Sequence, residues 1–147
     1  MGLVSSSSSQ TQDGFGTLFQ TNYLGHWLLT RLLLARIKRT ADKRWKADGN
    51  KYGAPVRIIS VSSGGHSDAA IPYQNDNEWR EFIEGGCGYG QSKLLQIMRM
   101  RQLQKELAGY ADKIQCVSIT PGLVWTNMVP NYLAAIYPVF CVACSHE

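Results

Sequence analysis

The sequence lacks a long hydrophobic run. No apolar stretch approaches the ~18 residues that a membrane-spanning helix needs, and the longest candidate, from Tyr132 to Cys144, is interrupted by Pro138. The first ten residues have neither a basic start nor an apolar centre and include a run of five serines, a pattern unlike that of a secretory signal. These absences predict a cytoplasmic protein, with peripheral attachment to an intracellular membrane as the alternative.

Cysteine is also scarce, with four residues in a chain of 147 that is 44% apolar and 18% charged. That composition is typical of one modest globular domain. Nothing suggests an extracellular disulfide framework, so we expect Cys87, Cys116, Cys141 and Cys144 to be free thiols in a reducing compartment. Cys141 and Cys144, with His146 beyond them, resemble half of a zinc site, but no second pair follows at workable spacing. The sequence therefore predicts no metal site.

Acidic residues are few in one segment of the chain. The net charge is +4, and the segment from Arg31 to Lys46 holds seven bases against one acid, Asp42. Such a cluster can bind nucleic acid, but no nucleic-acid-binding motif accompanies it. A solvated helix end that runs into a loop is the simpler interpretation. We expect no nucleic-acid partner and keep binding to an anionic membrane surface as an alternative.

A long helix is predicted near the start of the chain. Thr11 and Asp13 supply helix-start chemistry, and from Phe15 apolar residues recur at helical spacing, which predicts a helix over 15–35. Residues 39–53 are predicted to form a polar loop. Asn22 falls on the apolar face of the helix, where an unpaired amide would be costly. Asn22 is therefore expected either to satisfy backbone groups or to belong to a site.

Two β-branched segments, 56–62 and 114–120, predict buried strands. Further helices are predicted over 77–82, 89–107 and 131–142. The alternation of helices and strands predicts an α/β fold with a parallel sheet. Two strands cannot form a stable parallel sheet alone, so either further strands are present or the chain is part of a larger fold.

Tyr89 and Lys93 are four residues apart on the predicted helix over 89–107 and therefore share one face. A cation beside a phenol favours the phenolate and moves the tyrosine pKa from about 10 toward the working pH. Such a tyrosine can give a proton to a carbonyl oxygen or take one from an alcohol. The loops after both predicted strands would lie at the carboxyl edge of the sheet, where α/β folds bind ligands.

With these features the sequence resembles the short-chain dehydrogenase/reductase family, in the branch that includes the retinol dehydrogenases. The resemblance extends from about Thr11 to Pro130. Five motifs carry it in family order, namely Asp13-Gly14-Phe15, Asn22-Tyr23-Leu24-Gly25-His26, Ile58-Ile59-Ser60-Val61-Ser62-Ser63, Tyr89-Gly90-Gln91-Ser92-Lys93 and Pro121-Gly122-Leu123-Val124-Trp125-Thr126.

The resemblance implies a role for each catalytic candidate. Tyr89 is similar to the general acid/base of the family, and Lys93 to the lysine that assists the tyrosine and holds the nicotinamide ribose. Ser63 aligns best with the serine that hydrogen-bonds the reacting oxygen, and Ser62 is the alternative. Asn22 is similar to the helix asparagine that takes part in a proton relay to the lysine and contributes to the cofactor site.

The resemblance also implies a cofactor, NAD or NADP, whose nicotinamide would be lined by Pro121, Gly122 and Thr126. The expected fold is a partial Rossmann-type, doubly wound parallel sheet without its N-terminal βαβ units. The expectation of a partial fold has a sequence basis, because no strand–Gly-x-x-x-Gly-x-Gly–helix occurs in the chain. The glycines at 85–88 follow polar loop residues instead of a strand.

We accordingly expect a chain truncated at both ends. It would comprise a flexible N-terminus over 1–12, a partial NAD(P)-binding catalytic domain over 13–130 and a C-terminal helix and tail over 131–147. The parent reaction would be hydride transfer between NAD(P) and a small apolar alcohol or carbonyl compound, with the fragment inactive alone. The alternative is a non-catalytic interaction protein that pairs with a full-length relative through helices 15–35 and 89–107, as a homo- or hetero-oligomer.

Overall fold

The computed structural model describes residues 10–48, 56–72 and 75–122. Within them, the α-helices are α1 (Thr17–Phe19), α2 (Gly25–Asp48), α3 (Asp76–Glu81) and α4 (Tyr89–Glu106), and the strands are β1 (Val56–Val61) and β2 (Ile114–Ile119). π-Helical turns cover Gln20–Leu24 and Phe82–Gly86, and 3₁₀ turns cover Gly64–His66 and Ala108–Tyr110. The predictions for residues 1–9, for Thr126, for the helix over 131–142 and for the Cys141–His146 segment lie outside the described residues.

The two strands pair in parallel, with a register that runs from Val56 opposite Ile114 to Val61 opposite Ile119. The connection between them carries α3 and α4, and α4 packs against both strands. This arrangement confirms the predicted fold class, a partial Rossmann-like α/β fold with a small parallel sheet. The strands and α4 also begin and end within one or two residues of the predicted bounds.

Two apolar clusters form the core. The first joins α2, α4 and β2 through Ala41, Leu103 and Ile114, each of which is fully buried. The second contains Phe19, Phe82, Cys87 and Leu95 and packs the two π-helical turns against the first half of α4. The second cluster therefore fixes the turn that carries Asn22 next to the helix that carries Tyr89 and Lys93.

The prediction of a polar loop over 39–53 is wrong for residues 39–48, which continue α2. Arginine, lysine and alanine have high intrinsic helix propensity, and Ala41 is buried against the first core cluster. Asp42 is also held from outside the helix, because Lys113 Nζ lies 2.7 Å from its Oδ1. The basic residues of this segment therefore lie on a helix that packs against the core on its other side.

The expectation of buried strands is wrong for alternate positions of the described β1. Burial alternates along β1, where Ile59 and Val61 are about half exposed, at 53% and 51%. Three leucines of α2 whose spacing predicted an apolar face, Leu29, Leu32 and Leu33, are exposed as well, and so is the neighbouring Leu28. Within the described residues α4 covers one face of the sheet and only a few side chains of α2 reach β1, so alternate strand positions meet solvent.

None of the helices in the described ranges is long and apolar enough to cross a bilayer.

Candidate functional site

The first turn of α4 is fixed by hydrogen bonds to its own start and to the loop that follows β1. Gln91 Oε1 accepts from the backbone N–H of Gly88 at 2.8 Å, and Gln91 Nε2 donates to the Ala70 carbonyl at 2.8 Å. The first of these bonds satisfies a backbone donor at the helix start, where intrahelical partners are lacking. The glutamine that follows Tyr89 by two residues therefore holds the helix start in place.

Gly90 permits α4 to lie directly on the 3₁₀ turn after β1. A Cβ atom at Gly90 would lie 2.3 Å from the carbonyl oxygen of Gly65, which is too close for any side chain. The glycine of the Tyr89-Gly90-Gln91-Ser92-Lys93 motif is thus required by a backbone contact. This contact sets the distance between Tyr89 and the turn that begins at Ser63.

Ser63 and Tyr89 both lie close to Gly65. A methyl group on Gly65 would be 3.8 Å from both Ser63 Oγ and Tyr89 Cδ1. Ser63 caps the 3₁₀ turn, because its Oγ accepts from the backbone N–H of Gly65 at 3.3 Å. Both residues are partly exposed.

Ser62 has a different environment from Ser63. It is buried, its backbone N–H donates to the Ile119 carbonyl at 2.8 Å, and its Oγ donates to the Lys93 carbonyl at 3.0 Å. The Ser62 hydroxyl therefore joins the end of β1 to α4. Its hydrogen is already donated to a protein acceptor.

The Lys93 side chain crosses the space between α4 and β1. Its Nζ donates to the Val61 carbonyl at 3.1 Å and lies 5.6 Å from the centre of the Tyr89 ring. Burial lowers the pKa of the Lys93 amine below its ordinary value, because desolvation disfavours the charged form. The lysine and tyrosine that share a face by sequence spacing are thus neighbours in the fold.

Asn22 is buried on the π-helical turn, where its side-chain NH₂ group and its main-chain carbonyl each have a hydrogen-bond partner. Its Nδ2 donates to Ser92 Oγ at 3.1 Å, and Ser92 Oγ in turn donates to the Tyr89 carbonyl at 2.7 Å. The Asn22 carbonyl accepts from Gln96 Nε2. The side-chain amide therefore pairs with a serine hydroxyl and not with a backbone group. Its partner Ser92 and the main-chain partner Gln96 follow Tyr89 and Lys93 on α4.

Ser92 and Gln96 were not among the predicted site residues. Both are at most 5% exposed, and both contact Asn22. Each follows a predicted catalytic residue by three positions, Tyr89 in one case and Lys93 in the other, so each lies on the same face of α4. That spacing is the signal by which the sequence could have identified them.

Pro121 and Gly122 follow β2 and are exposed at the end of the described residues. Gly122 has a φ of 77°, a left-handed conformation that favours glycine. Since β1 and β2 are parallel, this segment and the Ser62–Ser63 segment leave the sheet at the same edge. Thr126, the third residue predicted to line the nicotinamide, lies outside the described residues.

A cavity of about 170 Å³ lies between α2 and β1 and is lined by His26, Leu29, Ile59, Gln96 and Arg99, among others. Tyr89, Lys93 and Ser63 do not line it. In the ranges 10–48, 56–72 and 75–122, no three histidine, cysteine or acidic side chains come together as a metal site would require. The candidate site is therefore the partly open surface at the carboxyl edge of the sheet.

Comparison with known proteins gives several similar dehydrogenases. Human retinol dehydrogenase 12 is 34% identical over 128 residues, which are 87% of this chain and 35% of that protein. Polyprenol dehydrogenase of Danio rerio is 33% identical over 122 residues, 83% of this chain and 35% of that protein. An uncharacterized oxidoreductase of Schizosaccharomyces pombe is 34% identical over 130 residues, 86% of this chain and 36% of that protein.

No model of a known protein family matches the chain. The chain spans about a third of the length of the curated relatives that it matches.

Proposed function

Since this chain belongs to the short-chain dehydrogenase/reductase family, in its retinol-dehydrogenase-like branch, we propose that it carries the proton-transfer site of an NAD(P)-dependent alcohol/carbonyl oxidoreductase. One observation supports this proposal above the others. Lys93 Nζ lies 5.6 Å from the centre of the Tyr89 ring, and Ser63 Oγ and the same ring both lie close to Gly65.

In this proposal Tyr89 is the general acid/base. Its hydroxyl gives a proton to the carbonyl oxygen in the reductive direction and takes one from the alcohol in the oxidative direction. The Lys93 ammonium stabilises the phenolate that forms, because a nearby positive charge favours the ionised phenol. Ser63 Oγ accepts from a backbone N–H, so its own hydrogen is available to the reacting oxygen of the substrate.

The residues at the carboxyl edge fit the nicotinamide end of a dinucleotide. Lys93 has three donors, and the Val61 carbonyl takes one of them while the Gln96 oxygen lies farther away, so a donor is available for a ribose hydroxyl. Pro121 and Gly122 lie at the same edge and would line the ring, with Thr126 as a further proposed contact. When bound, the nicotinamide supplies or accepts the hydride.

The diphosphate of a dinucleotide would need a glycine-rich turn between a strand and a helix. The Gly85–Gly88 run belongs to a π-helical turn and the start of α4 and does not follow a strand. It therefore lacks the strand–turn–helix context that cradles a pyrophosphate. We propose that the 147-residue chain binds NAD or NADP only weakly, with a dissociation constant well above micromolar, and is inactive alone. Calorimetric titration with each dinucleotide tests this, and a micromolar constant for either would refute it.

We further propose a small apolar alcohol or carbonyl compound as the substrate. The names of the similar proteins, retinol dehydrogenase and polyprenol dehydrogenase, support this class of substrate. The partly exposed Ser63 and Tyr89 leave an open approach to the reacting groups.

The proposal is tested by replacing the aligned segment of human retinol dehydrogenase 12 with this chain. We expect the hybrid to oxidise retinol with NAD or NADP. Tyr89→Phe in the hybrid should abolish turnover while leaving dinucleotide affinity unchanged, because phenylalanine keeps the ring but cannot transfer a proton. Tyr110→Phe, at a tyrosine in the 3₁₀ turn that follows α4, is the matched control. A Tyr89→Phe hybrid with near-normal turnover would show that the acid/base is a different residue.

A second candidate function is pairing with a full-length relative through the long helices. Leu28, Leu29, Leu32 and Leu33 favour it, since they expose a large apolar surface on α2 and such patches promote association. Sedimentation of the chain alone and mixed with human retinol dehydrogenase 12 tests this function. Association that Leu28→Lys with Leu32→Lys abolishes would support it, and a monomer in both samples would exclude it.

A further inference from the structure

Gln96 is a buried amide that contacts two parts of the candidate site at once. Its Nε2 donates to the main-chain carbonyl of Asn22 on the π-helical turn. Its Oε1 lies 3.5 Å from Lys93 Nζ and accepts from it. Only 5% of the residue is exposed, so solvent does not compete for either end.

The direction of the Gln96 amide is determined by its partners. If the amide were turned over, its oxygen would face the Asn22 carbonyl and its NH₂ group would face the Lys93 ammonium. Each of these contacts would be repulsive, because two acceptors would face each other at one end and two donors at the other. The Asn22 carbonyl thus holds the Gln96 oxygen toward the lysine.

We propose that Gln96 is a positioning residue that holds the Lys93 ammonium against β1, over the Tyr89 ring, by presenting an oxygen whose direction is set by Asn22. The inference rests on the proposed function in that Lys93 is taken as the partner of Tyr89. In this proposal Asn22 acts on Lys93 through its main-chain carbonyl, which orients the Gln96 amide.

The other groups around Lys93 are consistent with this role. The Val61 carbonyl accepts from Nζ, and Ser62 Oγ donates to the Lys93 carbonyl, so both ends of the residue are held by the end of β1. Tyr89 on the same helix is the titratable side chain whose ring faces the amine. Burial lowers the Lys93 pKa, because desolvation disfavours the ammonium form.

The experiment measures the acylation rate of each lysine in the 147-residue chain as a function of pH, by peptide mass spectrometry. The exposed Lys43 on α2 is the internal reference. Gln96→Met removes the acceptor and should lower the Lys93 pKa, so that its relative rate rises several-fold. Gln96→Glu puts a carboxylate beside the amine and should slow acylation about tenfold, equivalent to a pKa rise of about one unit.

The matched control is Gln104→Met. Gln104 lies on the same helix and also bridges two backbone groups, since it accepts from the Cys116 N–H at 2.8 Å and donates to the Ile114 carbonyl at 3.4 Å. It makes neither of the Gln96 contacts. We expect the acylation of Lys93 relative to Lys43 to be unchanged in this variant.

Opposite changes in the two Gln96 variants support the proposal, because simple loosening of the fold would accelerate acylation in both. Lys93 acylation at the rate of the unsubstituted chain in both variants, or faster acylation in both variants, would overturn the proposal. If Gln96→Met loses its helical circular dichroism, Gln96→Glu decides alone: slower acylation supports the proposal, and faster acylation or unfolding overturns it. No dinucleotide or turnover enters this experiment, so a failure of the proposed function would appear only in the hybrid enzyme.

Discussion

The side-chain amide of Asn22 donates to the hydroxyl of Ser92 across 3.1 Å, although the two residues are 70 positions apart in the chain. Because Ser92 also donates to the Tyr89 carbonyl, this one hydrogen bond joins the π-helical turn to the first turn of α4. The candidate catalytic residues are therefore positioned by a buried polar network as well as by the sheet.

The two adjacent serines after β1 should respond differently to substitution. Ser63→Ala in the hybrid enzyme is expected to lower turnover by about 10²-fold or more, since it removes a donor to the reacting oxygen. Ser62→Ala removes the hydrogen bond to the Lys93 carbonyl and should instead lower the free energy of unfolding by about 0.5–1.5 kcal/mol. Turnover assays and urea denaturation of both variants separate these effects. A larger loss of turnover in Ser62→Ala would reverse the assignment.

Gly90→Ala should destabilise the chain by about 1–3 kcal/mol despite the higher helix propensity of alanine. The added Cβ would lie 2.3 Å from the Gly65 carbonyl oxygen, so the turn that carries Ser63 must move. At Gly109 the same substitution meets no atom within 4 Å and should change stability by no more than about 1 kcal/mol. Thermal denaturation compares the two, and equal melting temperatures would show that α4 does not depend on this contact.

Leu103→Ala should lower the free energy of unfolding by about 2–5 kcal/mol, because Leu103 is fully buried in the first core cluster and the substitution leaves a cavity. Leu32→Ala is the control, since Leu32 is 73% exposed and its replacement should cost less than about 0.5 kcal/mol. Urea denaturation measures both. A large cost at Leu32 would mean that the α2 surface is covered in solution.

The ion pair between Asp42 and Lys113 should make stability depend on pH. The hydrogen bond from Lys113 lowers the pKa of the Asp42 carboxyl, and the same bond raises the pKa of the Lys113 amine. The contribution of Asp42 is therefore present above its unfolded-state pKa and is lost as the pH falls through its folded-state pKa. The contribution of Lys113 is present below its unfolded-state pKa and is lost as the pH rises through the raised one.

Lys113→Met should accordingly destabilise the chain at neutral pH but have little effect at a pH low enough to protonate Asp42. Both partners are accessible to solvent, so the effect at neutral pH should be small and should shrink in high salt. Denaturation at both pH values measures it, with Lys105→Met as the control. If Lys113→Met lowers the free energy of unfolding equally at both pH values, the Lys113 side chain stabilises the fold by packing and not by its charge.

The sequence was sufficient to predict the strands, α4 and the shared face of Tyr89 and Lys93, because all of these follow from local sequence. The strands are β-branched segments, and residues four apart on a helix share a face. It did not predict the extension of α2 to Asp48, which depends on Ala41 packing against distant Leu103. Ser92 and Gln96 were missed for a similar reason. They are ordinary polar residues on a helix, and their significance comes from Asn22, which is remote in sequence.

The parallel pairing of β1 with β2 has a consequence for the order of folding. Each paired position joins residues 58 apart in the chain, as for Ser60 and Ser118. Closing a loop of that length costs chain entropy on the order of 4 kcal/mol before any strand contact compensates for it. The helices need no such closure, so we expect them to form first and the sheet to nucleate late. Since Ser62 reaches Lys93 from the end of β1, the hydrogen bond that joins this strand end to Lys93 would then form in the final folding step.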